Sequence, residues 1–284
     1  MTRNNIVLLD GAMGTGLWNK AEARGLAKKP VWIYNIEQPD MVIELTKEYI
    51  AAGSAVVQAN TFGANRPSVE RACAYEVSDI VRRGVELAKE ATAGTDVLVS
   101  LSIGPLSEMM EPFGDLTEEE VEAIYEEQIG AGAKAGADLI ALETFMDVEM
   151  MRVAATVAKK YGIPVLCTMT FDKRGRTMMG NTVGRVIEEL APLGIDGIGM
   201  NCSLGPIEAL PVIASFAEQT DIPLVFKPNA GLPQLAEDGS TVSDYDAASF
   251  VREVLPALEY PVKYLGGCCG TDPSYIKALR ENIQ

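Results

Sequence analysis

Eight short, nearly continuous apolar runs recur along this chain with amphipathic stretches between them. This alternation constrains the fold more than any other feature. The runs are Ile6–Leu9, Ala55–Ala59, Val97–Leu101, Leu139–Leu142, Pro164–Thr168, Gly197–Met200, Leu224–Phe226 and Val262–Leu265. Continuous apolar character is what parallel strands covered on both faces require. Helical spacing marks Met41–Ala52, through Val42, Leu45, Tyr49 and Ala52, and Glu118–Ala135, through Val121, Ile124, Tyr125 and Ile129. Val148–Tyr161 and Ala247–Leu258 follow the same period. Thr117 ahead of three glutamates reads as a helix cap with acids at the positive end of the dipole. Eight strands alternating with helices predict an α/β fold, a (βα)8 TIM barrel with residues 1–284 as one domain. A doubly wound open sheet is the other arrangement of the same elements.

An internal echo favours the barrel. The segment Gly53 to Phe62 aligns with Gly136 to Phe145, and Gly194 to Ser203 is a third copy. In each, a glycine closes a helix, an apolar strand follows, and polar residues stand seven and eight positions on. Asn60, Glu143 and Asn201 are thereby equivalent, as are Thr61, Thr144 and Cys202. These are strand C-termini, the rim where barrel enzymes build their active sites. Any repeated strand–helix unit also echoes in its apolar middle, so only the polar ends bear on function.

Composition narrows the chemistry. Lys and Arg number 24 against 40 Asp and Glu, a formal charge of −16, which disfavours a nucleic-acid partner because phosphate binding needs surplus cations. No stretch approaches the ~18 apolar residues of a membrane helix, and polar Met1–Asn5 lacks the features of a secretory signal, so no membrane association is expected. Five unevenly spaced cysteines fit a cytoplasmic protein with reduced thiols. Histidine is absent altogether, which removes Ser-His and Cys-His pairs and the usual neutral-pH base.

The segment Gly266-Gly267-Cys268-Cys269-Gly270 follows the last strand. Adjacent residues of a regular strand point to opposite faces, so the flanking glycines are needed to turn both sulfurs toward one point. Cys202 ends the sixth strand, close to the eighth in a barrel. Three sulfurs without histidine select zinc among common metals, and three protein ligands leave a fourth position open. Buried packing residues, a strained disulfide or a redox pair are alternative readings of vicinal cysteines. Cys73 and Cys167 read as core.

Three thiolates on Zn²⁺ leave a net charge near −1, a poor setting for activating water. A substrate thiol, only a few per cent ionised at neutral pH, would lose its proton on coordination while staying electron-rich. The chemistry implied is alkyl transfer to sulfur by in-line attack on an activated methyl group. A second cluster, Asp10-Gly11-Ala12-Met13-Gly14-Thr15, joins a strand end to a glycine-rich turn. Its backbone N–H groups suit a carboxylate, and Asp10 with Glu143 suits an ammonium. A phosphate loop or a plain turn is the rival reading, although no phosphate-loop motif is present. Asn60 and Thr61, with Asn201, are candidate substrate contacts, and the Asn229 amide is a candidate fourth zinc ligand in the absence of substrate. Residues 18–40 and 230–243, the latter with an Asp238-Gly239 turn, read as long loops that could act as lids or partner surfaces.

Taken together, Leu8-Leu-Asp-Gly-Ala-Met-Gly-Thr15, Ala59-Asn-Thr-Phe-Gly-Ala64, Leu142-Glu-Thr-Phe145, Gly199-Met-Asn-Cys-Ser203 and Gly266-Gly-Cys-Cys-Gly-Thr271 resemble the homocysteine S-methyltransferase family, in its order and over nearly the whole chain. Within it the chain looks most like the N-terminal homocysteine module of cobalamin-dependent methionine synthase, through Met169-Thr-Phe-Asp172 and Pro228-Asn-Ala-Gly231. The resemblance implies a (βα)8 barrel with zinc on Cys202, Cys268 and Cys269. It implies homocysteine held through its sulfur as a zinc-bound thiolate and methylated to methionine. It implies Asp10 and Glu143 near the amino group and the backbone of Gly11 and Ala12 near the carboxylate. Corrinoid and folate modules accompany this module in the cobalamin-dependent enzymes. The expectation here is that cobalamin acts only through a separate corrinoid protein as donor. A small donor such as S-methylmethionine or betaine, a different thiol acceptor, or the reverse demethylation are alternatives, as is a non-catalytic thiol- or zinc-binding subunit.

Overall fold

The computed structural model describes residues 6–231 and 245–283, with the backbone of 234–235 and 241–242 between them. Its main sheet has eight parallel strands: β1 (Val7–Leu8), β2 (Val56–Ala59), β3 (Leu98–Ile103), β4 (Leu139–Phe145), β5 (Val165–Met169), β6 (Gly197–Asn201), β7 (Leu224–Lys227) and β8 (Val262–Leu265). Neighbours run β1-β8-β7-β6-β5-β4-β3-β2, each strand beside its successor in the chain, with β8 returning to β1. At the remaining seam the Ala55 N–H donates to the Leu8 carbonyl over 2.7 Å. The sheet therefore curls into a nearly closed (βα)8 barrel. The open alternative is ruled out, because a doubly wound sheet reverses its strand order midway.

Closure gives the strands two environments. Their outward faces pack on the helices in one large core that includes Val57, Leu101, Leu142, Met169, Met200 and Phe226. Their inward faces form a smaller cluster of Leu9, Val56, Leu139, Leu166 and Val225, with Val7 and Tyr264 against it. Because strand side chains alternate with period two, the next inward positions are fixed. Gln58 follows Val56, Thr168 follows Leu166, Lys227 follows Val225, and Glu143 stands two positions beyond Ala141. The barrel interior is thus apolar below and polar toward the strand C-termini.

The helices supply the outer layer and anchor the rim. Glu118–Lys134 begins with a capping box in which Thr117 and Glu120 each satisfy the other's backbone N–H, an arrangement stabilising by about 1 kcal/mol. Helix Pro39–Ala52 stops at Gly53, whose φ of 102° only glycine adopts at little cost. From it, fully buried Tyr49 donates its hydroxyl to the Ala12 carbonyl at 3.2 Å, tying the loop after β1 to the barrel wall.

Two expectations change. Much of residues 18–40, read as a loop, is helical: Met13–Ala23, the 3-10 turn Val31–Ile33 and Tyr34–Glu37. Gly14, read as part of a glycine-rich turn, lies inside helix Met13–Ala23, as does Gly16, where a Cβ would come within 2.7 Å of Leu45 Cδ2. Cys73 lies at the end of helix Arg66–Ala72, half-buried against the core. Met1–Asn5 and the Asp238-Gly239 turn lie outside the described residues, as does most of 230–243 beyond an antiparallel pairing of Gln234–Leu235 with Thr241–Val242. No helix among the described residues is long and apolar enough to cross a membrane.

Candidate metal centre

Cys202, at the end of β6, and Cys268 and Cys269, after β8, bring their sulfurs within 4.8 Å of one another. Cys202 Sγ and Cys269 Sγ are 3.7 Å apart, and all five cysteines are unbridged. Sulfurs around a tetrahedral zinc with Zn–S near ~2.3 Å stand about 3.8 Å apart, so this spacing suits the ion. The backbone is built for the convergence. Cys202 and Ser203 both adopt left-handed φ, 59° and 58°, a conformation that costs non-glycine residues about 1–3 kcal/mol each. The strain is held by the Cys202 N–H donating to the Lys227 carbonyl at 3.0 Å and by Ser203 Oγ donating to the Phe171 carbonyl at 2.9 Å. After β8, the Cys268 N–H donates to the Pro228 carbonyl at 2.9 Å and Thr271 Oγ1 to the Cys268 carbonyl at 2.7 Å. A Cβ on Gly267 would collide with the Thr271 side chain, so glycine is required there for this close turn.

The electrostatics of the trio favour a cation. Hydrogen bonds from the Cys268 and Cys269 thiols hold the Cys202 thiol down to about 3. The Cys202 sulfur in turn pushes Cys269 up to about 11 and Cys268 well above the ordinary thiol range, with burial adding to both. Left to the protein alone, one thiolate forms and the next two are opposed by it. Three thiolates in this space need a bound divalent ion. Asn229 supplies a further sign. Its side chain lies beside Cys202 and helps to hold that thiol's pKa down, and its Oδ1 is buried with no hydrogen-bond partner. The donor set therefore fits zinc, with Asn229 placed to offer an amide oxygen.

Asn201 braces the centre from beneath. It is fully buried, accepts the Thr144 N–H at 2.7 Å and the Thr168 hydroxyl at 2.8 Å, and donates to Thr144 Oγ1 at 2.8 Å. Its remaining contact runs from Nδ2 to Cys268 Sγ, 3.6 Å away. Thr144 shares the left-handed backbone of Cys202, with φ 66°, as the echo between the β4 and β6 segments suggests.

An open cavity lined by all three cysteines lies at this end of the barrel. Its walls include Trp18, Trp32, Asn60, Thr61, Phe62 and Thr144, and Gln58, Glu143 and Lys227 lie where it meets the barrel interior. The helix Met13–Ala23 starts on this cavity with no capping side chain and no acid in its first turn, which leaves N–H groups for an anion. Asn60 and Thr61 line the cavity while bonding to the protein itself. Asn60 Nδ2 donates to the Val31 carbonyl and Asn35 Oδ1, and Thr61 Oγ1 to the Ser102 carbonyl.

The sequence reading passed over Lys227. Its ammonium lies 3.6 Å from both Asp10 Oδ1 and Glu143 Oε2, and all three side chains are buried. Burial pushes the Asp10 carboxyl up to about 6 despite Lys227 beside it. Burial alone would lower Lys227, but Glu143 and Asp10 drive it up to about 12. A lysine ending an otherwise apolar strand, in the rim position that Glu143 and Asn201 occupy in theirs, was the available signal. Asp10 is fully buried and, unlike Glu143 and Lys227, does not line the large cavity.

A profile of the homocysteine S-methyltransferase family matches residues 7–283. Methionine synthase of Mycobacterium leprae is 29% identical over 293 residues, covering 96% of this chain. This chain spans 24% of that protein's length, and the same share of Mycobacterium tuberculosis methionine synthase, which is 28% identical. Betaine–homocysteine S-methyltransferase 1 of Danio rerio is 27% identical, covering all of this chain and 74% of its own. Among solved structures, the metallated form of the homocysteine methyltransferase MmuM from Escherichia coli superposes with a TM-score of 0.79 at 25% identity, covering 98% of this chain and 96% of that one.

Proposed function

Because this chain belongs to the homocysteine S-methyltransferase family, we propose that it methylates the sulfur of homocysteine to give methionine, with zinc held by Cys202, Cys268 and Cys269. The observation that carries this reading is the convergence of the three sulfurs on the wall of a cavity, beside a buried amide oxygen that lacks a partner. When bound, zinc supplies the means of ionising the acceptor thiol in a protein that contains no histidine.

The chain's own groups do the rest. Asn201 fixes Cys268, and the paired turns at Cys202 and Gly267 fix the other sulfurs, so the site is organised before the acceptor arrives. The N–H groups opening helix Met13–Ala23, with the backbone of Gly11 and Ala12, hold the acceptor's carboxylate. Asn229 is placed beside the three cysteines, and its amide oxygen would offer the metal a further ligand in the absence of the acceptor's sulfur. The aromatic wall of Trp18, Trp32 and Phe62 limits the water around the reacting sulfur.

The donor we propose is methylcobalamin carried by a separate corrinoid protein. One feature supports a large donor: Phe62, Met109, Phe113, Met146 and Met178 expose apolar surface on loops that follow successive strands at this same end of the barrel. The test is methyl transfer to homocysteine by zinc-loaded protein, offered in turn a methylated corrinoid protein, S-methylmethionine and betaine. Turnover with the corrinoid donor alone is expected. Turnover with a small donor alone would replace that part of the reading, and none with any donor would end it.

A further inference from the structure

Asn201 holds Thr144 by two bonds whose direction is fixed. The Thr144 N–H can only donate, and it meets Asn201 Oδ1 at 2.7 Å, so the other end of that amide is the nitrogen. Asn201 Nδ2 then donates to Thr144 Oγ1 at 2.8 Å. The hydroxyl oxygen therefore accepts, and its proton has no acceptor among the described residues. The backbone here is also unusual. A β-branched residue rarely adopts a left-handed φ, yet that of Thr144 is 66°. The pairing of β4 with β5 shifts register between Leu142 and Phe145, an irregularity of the kind that re-aims side chains beside active sites. Consecutive residues of a regular strand face opposite ways, but Glu143 and Thr144 both line the cavity.

The same Asn201 Nδ2 lies 3.6 Å from Cys268 Sγ, so the Thr144 hydroxyl stands within two hydrogen-bond lengths of one of the three clustered sulfurs. We propose that this hydroxyl donates a hydrogen bond to the acceptor's sulfur, which makes Thr144 a further substrate-contacting residue of the site. The acceptor's other groups are served elsewhere. Its carboxylate has the N–H groups that open helix Met13–Ala23, and its ammonium calls for an oxygen such as those of Glu143 rather than for a donor. A hydrogen bond to an anionic sulfur is stronger than one to a neutral thiol, so the contact favours the thiolate and limits how that sulfur can turn.

This inference rests on the acceptor site proposed above. Its test uses cobalt(II) in place of zinc, because thiolate-to-cobalt charge-transfer bands report the electron density on sulfur. Wild-type protein is expected to gain such absorption when homocysteine is added. Thr144→Val keeps the branched shape and loses the hydroxyl. Its homocysteine-dependent band is expected at longer wavelength, with a shift larger than any in the bands of the protein's own thiolates. Its dissociation constant for homocysteine is expected to rise about tenfold, as the loss of one hydrogen bond to a charged group requires. Thr144→Ser is expected to match the wild type, and Thr144→Ala carries the same expectation as the valine variant should that one fail to fold. A homocysteine band and dissociation constant unchanged without the hydroxyl would overturn the inference and leave the proposed function standing. So would a shift as large in the protein's own bands, which would show that Thr144 acts on the cysteines through Asn201. Wild-type protein that gains no thiolate absorption with homocysteine would overturn both.

Discussion

Asn201 Nδ2 donates to Cys268 Sγ across 3.6 Å, linking the end of β6 to the loop after β8 over the intervening β7. The same side chain holds Thr144 and Thr168, so three strand ends and one cysteine share a single buried amide. Asn201→Ala is expected to reduce zinc affinity about 10–100-fold, the usual cost of losing a group that orients a ligand. It also leaves the Thr144 N–H unpaired, at about 1–3 kcal/mol. Competitive chelator titration together with urea unfolding would separate the two effects; unchanged zinc affinity would remove Asn201 from the centre.

The cysteines themselves must matter more than their support. Cys202→Ala, Cys268→Ala and Cys269→Ala are each expected to weaken zinc binding by more than about 100-fold, beyond the range for a supporting residue. Elemental analysis of each purified variant checks this. Cys167→Ala, in the outer core, is expected to retain the metal and lose only the stability that a small packing change costs.

Asn229→Ala gives a conditional result. If the amide oxygen completes the coordination only before the acceptor binds, the variant should bind zinc more weakly alone and with wild-type affinity once homocysteine is saturating. Zinc affinity measured with and without the thiol tests this; an equal loss in both states would make Asn229 a permanent ligand or a packing residue.

Asp10 predicts a pH dependence of stability. Its folded carboxyl is raised to about 6 from an ordinary value of 3.8. Between those values the folded state holds the proton more often than the unfolded state does. Stability from this group is therefore complete below the lower value and is lost as pH rises to the upper one. The loss approaches about 3 kcal/mol, because each tenfold difference in proton affinity between the two states is worth about 1.4 kcal/mol. Relative to Asp10→Asn, the wild-type protein should lose stability between about pH 4 and 6 and change little above. Urea unfolding of both proteins across that window checks the sign.

Gly267→Ala tests the turn that brings the sulfurs together. The added Cβ would meet the Thr271 side chain, which also holds the Cys268 carbonyl. The expected cost is about 1–3 kcal/mol of stability together with weaker zinc binding. Pairing it with Thr271→Ser, which removes a methyl group and keeps the hydroxyl, should recover part of both.

The sequence alone determined the strand-and-helix alternation, the rim as the place for polar residues, and the three cysteines as one group. Each of these is written in local period or in spacing: apolar runs of strand length, glycines flanking adjacent cysteines, a repeated polar end. The tertiary structure decided what those residues face. Asp10, Glu143 and Lys227 come from β-strand ends far apart in the chain and meet only because the barrel closes and alternate side chains turn inward. No local pattern records that meeting. It is why a lysine at the end of an apolar strand went unread while the glutamate it neutralises stood out, and why Asn201, equivalent to Glu143 in the repeat, came to brace a cysteine from below. Pairing in a closed parallel sheet joins residues by position around a ring, and only the folded ring reveals which charges share its interior.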